Sequence, residues 1–167
     1  MRISIVGWLC LLVSFVSVPA FAAPCDQLAA LALKDATITS ATLVTTGEFQ
    51  NVKTLPAFCR VAATLKPSSD SDIKVEVWLP ASGWNGKFQA VGNGGWAGVI
   101  SYAAMADAVR AGYATASTDT GHVGGRGTFA LGHPEKLIDF SWRSEHEMTV
   151  KAKQVIQNFY GIAPRLS

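Results

Sequence analysis

The sequence predicts an α/β fold whose sheet starts antiparallel and turns parallel. Three observations point there. A strictly alternating apolar run over Ile73–Pro80 reads as a strand. Two glycine-rich stretches follow, at residues 92–98 and 124–127, each between a strand signal and a helical pattern. The resulting order is strand, strand, glycine loop, helix, strand, glycine loop, helix. About 145 residues remain once an N-terminal leader is set aside, enough for one domain.

In "DIKVEVWLP", Ile73, Val75, Val77 and Leu79 point to one face, Lys74, Glu76 and Trp78 to the other, and Pro80 ends the strand. "GWNGKFQAVG" places a turn at Asn85 and Gly86 and a second strand at residues 87–91, which together predict a hairpin. Ala104, Met105, Ala108 and Val109 mark a helix over Tyr102–Arg110, with Gly112 as its stop. "YATAST" is a short buried strand leading into Asp119-Thr120-Gly121-His122. Ser144 with Glu147 predicts a capping box at the start of the last helix. Met148, Ala152, Val155, Ile156 and Phe159 form its apolar stripe, and Gly161 and Pro164 end it.

Residues 1–22 read as a secretory leader: Arg2, a mostly apolar run from Ile3 to Val18, then Ala20-Phe21-Ala22. The apolar run is shorter than the roughly 20 residues that span a bilayer, so cleavage after Ala22 is expected, leaving a secreted or periplasmic chain with no membrane attachment. Cys10 leaves with the leader. Cys25 and Cys59 remain, and in an oxidising compartment they most simply pair, two free thiols being the alternative. His122, His133 and His146 lack ligand spacing and a nearby cysteine, so no zinc site is expected. The formal net charge is +2, with Lys and Arg scattered, which excludes the basic stripe of a nucleic-acid binder. Residues 66–72 are a polar surface turn, and no repeat or linker divides residues 23–167.

The cluster "QAVGNGGWAG" brings Gly92, Gly94, Gly95 and Gly98 together. Read literally, residues 92–97 match G-x-G-x-x-A, and Asp119 could hold a ribose. Against a nicotinamide site stand the hairpin-like strand before the loop and the bulk of Trp96 where backbone should approach phosphate. Exported proteins also rarely meet the free cofactor. Ester hydrolysis explains the glycines better, because an N–H aimed at a developing oxyanion needs an unobstructed approach. Tight packing against a neighbouring element is the third alternative.

"LPASGWNGKFQAVGNGGWAG", "GYATASTDTGHVGG" and "FSWRSEHEMTVKAKQVIQNFYG" together resemble the tannase and feruloyl esterase family of secreted α/β-hydrolases, which also includes a mono(2-hydroxyethyl) terephthalate hydrolase. The resemblance covers nearly all of residues 23–167 and implies the N-terminal portion of an α/β-hydrolase fold. It implies an N-terminal disulfide mapping onto Cys25 and Cys59, and oxyanion donors mapping onto Gly94 and Gly95, with Gly95 preferred. Aromatic, phenolic esters are the implied substrates.

In that family a nucleophile elbow, Gly-Cys-Ser-x-Gly-Gly, follows the helix ending "FYG" after a short strand. Here Ser167 falls before it, so the expectation is a chain truncated ahead of its nucleophile, without the Ser-Asp-His triad and inactive alone. The family's calcium site belongs to a lid domain further on, and no cofactor is expected in this chain. Ser117, Ser141, Ser144 and Ser167 are conceivable nucleophiles, but none lies in G-x-S-x-G. His122 is expected to hold its loop by hydrogen bonds, His146 to lie at the surface, and Asp119 to tie down backbone N–H groups. A sheet cut after its early strands predicts a poorly soluble or partly folded product. The alternative function is a non-catalytic secreted binding or relic protein on the same scaffold.

Overall fold

The computed structural model describes residues 22–45 and 47–167. The leader expected over residues 1–22 lies, but for Ala22, outside the described residues. Seven strands and three α-helices are present among the described residues: β1 (Ala36–Val44), β2 (Gly47–Phe49), β3 (Val52–Leu55), β4 (Phe58–Leu65), β5 (Ile73–Pro80), β6 (Phe88–Val91), α1 (Tyr102–Arg110), β7 (Ala114–Thr118), α2 (Pro134–Ile138) and α3 (Ser144–Tyr160). The main sheet has the order β1-β4-β5-β7-β6, and β2-β3 form a separate pair. Pairing is antiparallel from β1 through β7 and parallel between β7 and β6.

Strand alternation sorts the core into two layers. On one face Val61, Leu65, Ile73, Val75, Val77 and Leu79 pack against Met148, Ala152, Val155 and Ile156 of α3. On the other, Phe58 and Trp78 pack against Met105, Ala106 and Val109 of α1, with Leu55 from β3. The stripe expected on α3 is therefore the buried one. A 3-10 turn, Cys25–Ala30, joins the α3 layer through Leu28, and the Cys25–Cys59 disulfide fastens it to β4.

Two local expectations are corrected. β5 and β6 do not form a hairpin, because β7 lies between them. Asn85 faces the end of α1 instead: its N–H bonds Gly112 O at 2.9 Å and its Nδ2 bonds Ala111 O at 3.0 Å. All five β7 residues are buried, so this strand takes the interior position. The capping box at Ser144 and Glu147 is also absent. Pro134 at the first helical turn starts the run ten residues earlier, and a π-helical turn, Asp139–Arg143, carries it directly into α3. Ser144 is thus inside a continuing helix and fully buried, and Glu147 pairs with Lys151 one turn on. α1 and α3 end as expected, at left-handed Gly112 and Gly161.

Candidate active site: the glycine loop after β6

Residues 92–101 leave the C-terminal end of β6 and cross to α1. Side chains and backbone from β7 and the loop after it hold them in place. Asn93 Nδ2 donates to Thr118 O at 2.9 Å, and Ser101 N donates to Ser117 Oγ at 3.0 Å. The Ser101 hydroxyl donates to Asn93 Oδ1, also at 3.0 Å. Gly98 N donates to Gly124 O at 2.7 Å, pairing the two glycine stretches like a short antiparallel bridge.

Gly98 has no room for a side chain. A Cβ there would stand 2.3 Å from the carbonyl oxygen of His122, a backbone atom that cannot swing aside. Gly98→Ala is therefore expected to lower stability by about 1–3 kcal/mol, read as an earlier urea midpoint, with an unchanged midpoint as the contrary result. Gly94 and Gly95 differ from it. Both are exposed, neither would crowd a Cβ, and Gly95 turns the chain at φ +56°. Among the described residues no carbonyl accepts from either N–H. These two residues thus present free donors at the mouth of the loop.

His122 is buried, and its Nε2 lies 2.9 Å from Trp96 O. A carbonyl only accepts, so Nε2 carries the proton, and Nδ1 lies 3.2 Å from the Thr120 hydroxyl. The ring stacks on Phe129 at 3.8 Å. It ties the two loops together and has no free nitrogen aimed outward. Asp119 Oδ1 accepts from Lys74 N at 2.9 Å and Gly121 N at 2.8 Å, and burial raises its pKa despite these bonds. Both residues fill the structural roles expected of them.

The conceivable nucleophiles are not brought to the donors as a set. Ser117 is buried and bonded to Ser101 N, Ser141 Oγ donates to Ile138 O, and Ser144 is sealed in the helix. His146 is exposed beside Trp142. Among the described residues no three His, Cys, Asp or Glu side chains converge to hold a metal. The nicotinamide alternative also loses its geometry. In that fingerprint the glycines open the helix, whereas here residues 96–101 separate them from α1.

Sequence reasoning missed Glu145. Its carboxyl lies at the root of the loop, with Oε1 3.4 Å from where a Cβ on Gly92 would stand, an ordinary contact distance. Burial raises the Glu145 pKa, and no ion pair involving it forms among the described residues. A carboxyl whose folded pKa lies above its unfolded one destabilises the fold when ionised, and the penalty disappears at pH values below the unfolded pKa. Glu145→Gln is thus expected to raise the melting temperature at pH 7 and leave it nearly unchanged at pH 4. A lower melting temperature at pH 7 would contradict this.

Comparison with known proteins agrees with the fold. An uncharacterized esterase of Xanthomonas campestris pv. campestris is 41% identical over 152 residues, spanning 87% of this chain and 26% of that protein. A probable feruloyl esterase B-1 of Aspergillus fumigatus is 42% identical over 103 residues, spanning 62% of this chain and 19% of its own length. The crystal structure of feruloyl esterase B from Aspergillus oryzae superposes with a TM-score of 0.76 at 34% identity, over 82% of this chain and 29% of that one. The chain thus spans about a quarter or less of the curated relatives it matches. Its residues 59–167 match the family model described as tannase and feruloyl esterase, and the chain belongs to that family.

Proposed function

We propose that this chain is the N-terminal part of a secreted serine carboxylesterase acting on esters of phenolic acids, and that Gly95, with Gly94 beside it, supplies a backbone oxyanion donor. The observation that carries this reading is the pair of exposed, unengaged N–H groups at the C-terminal end of a parallel strand. The last residues support it. Leu166 pairs in parallel with Lys87, with Phe88 N donating to Leu166 O at 2.9 Å and Arg165 N to Gly86 O at 2.8 Å. A strand continuing on that track runs along the free edge of β6 towards Gly92. A nucleophile on the turn at its end would then stand beside Gly94 and Gly95.

In this mechanism the serine attacks the ester carbonyl while a histidine removes its proton and an aspartate orients the histidine. The oxygen that becomes negative meets the Gly95 N–H, a type of contact worth about 3 kcal/mol in the transition state. The alcohol leaves, and water cleaves the acyl-enzyme. Serine, histidine and aspartate all come from sequence after Ser167 in this reading. Export is part of the same proposal: it rests on the leader expected from the sequence of residues 1–22, and the disulfide is compatible with it.

Reading the source DNA past the codon for Ser167 tests the proposal. An open frame entering Gly-Cys-Ser-x-Gly-Gly is expected, and a stop codon with no such motif downstream would refute it. The 167-residue chain by itself is expected to hydrolyse phenolic esters no faster than buffer, and turnover that co-purifies with it would place the nucleophile inside the chain.

A further inference from the structure

Trp96 directly follows Gly95 and is 46% exposed. The other tryptophans that build the core behave differently. Trp78 is fully buried with Nε1 donating to Glu76, and Trp84 donates to Lys87 O while stacking on Tyr160. Trp96 leaves nearly half its surface open, and among the described residues its Nε1–H has no acceptor.

The exposed ring is nevertheless firmly placed. It stacks on Phe140 at 4.7 Å and 22°, and Phe129 meets it edge-on at 6.1 Å. The backbone of Gly127 packs against the indole, where a Cβ would stand 3.5 Å from Cε2. Its own carbonyl is held by His122. A rigid aromatic surface with a spare donor, directly after the two free N–H groups of Gly94 and Gly95, is suited to receive a flat ring at low entropic cost.

We infer that Trp96 is a specificity-determining residue: its open surface receives the aromatic ring of the acyl group while the ester carbonyl oxygen reaches Gly94 and Gly95. This rests on the oxyanion reading above. It adds the residue that distinguishes an aromatic acyl group from an aliphatic one.

The test uses the full-length protein, comparing methyl ferulate with methyl butyrate, and titrating the protein with ferulate by calorimetry. Trp96→Leu is expected to lower kcat/KM for methyl ferulate about tenfold, mainly through KM, while methyl butyrate changes less than twofold. Trp96→Phe should restore most of the loss, and ferulate affinity should follow the same order. Equal losses on both esters would reduce Trp96 to packing, and no loss on either would mean that another part of the protein covers it. Each result overturns the inference. If the wild type hydrolyses neither ester, the oxyanion reading fails and the ferulate titration still decides Trp96: weaker binding in Trp96→Leu supports it, equal binding refutes it. Should Trp96→Leu not melt cooperatively, Trp96→Met replaces it in both measurements.

Discussion

Replacing Glu76 by alanine is expected to cost about 3 kcal/mol of stability, the lower end of the range for removing one partner from a buried ion pair, because its partner Arg60 is only half-buried. Glu76 is 5% exposed and accepts from four donors: Arg60 Nε at 2.9 Å, Arg60 Nη2, Trp78 Nε1 at 2.8 Å and Tyr102 Oη at 3.1 Å. Without the carboxylate, Arg60 is left charged against Phe49 and an apolar layer. The network holds the guanidinium in its charged form, raising the Arg60 pKa, and burial, followed by the Glu76 charge, pushes Tyr102 up to about 12. Tyr102 is the first residue of α1, so the same loss frees the helix start to which the glycine loop leads. Urea unfolding should show the lower midpoint, with Glu76→Gln falling between wild type and alanine. A midpoint within measurement error of wild type would show that the network contributes nothing net.

The second large effect is expected from the disulfide. Cys25 and Cys59 are 34 positions apart, and opening a loop of that size removes about 3–4 kcal/mol on the chain-entropy model. Cys59 is fully buried in β4, paired with Leu43 on one side and Leu79 on the other, so alanine is the better replacement there than serine, whose hydroxyl would need a partner. Wild-type protein should melt earlier after reduction, and the Cys25→Ala, Cys59→Ala double variant should melt at the reduced temperature with or without reductant. A wild-type melting curve unmoved by reductant would remove the disulfide from the account of stability.

The sequence made some features legible and hid others for identifiable reasons. Alternation through Ile73–Pro80 correctly marks β5, although Trp78 and Glu76, assigned to the polar side, are both buried there by α1 and Arg60. β1 and β4 were not identified, since their faces are built partly from Ala, Thr and Ser, whose polarity contrast is weak. The hairpin expectation failed because Asn85 and Gly86 signal a turn without saying which strand the chain meets after it. Ser144 and Glu147 have the spacing of a cap, but spacing cannot reveal that Pro134 has already begun the helix. The glycine cluster is legible as a loop between strand and helix. Its partner at Gly124, and the His122 bond that fixes Trp96, arise from contacts 26 positions apart, and no local pattern encodes them.

The interposition of β7 between β5 and β6 also has a temporal side. As the chain is synthesised from its N-terminus, β4 can pair with β1 and β5 with β4, each with a strand already made. β6 cannot: its described strand partner β7 follows 26 positions later in the register, beyond α1. Until Ala114–Thr118 has emerged, β6 and the glycine loop must wait with an unmatched edge, exposed to other chains. Helix α1, forming from local contacts, shortens that wait by drawing β7 back towards its place. The part of the molecule that carries the free N–H groups is therefore also the part most dependent on prompt completion of the chain, and slow elongation through residues 92–118 is where misassembly would begin.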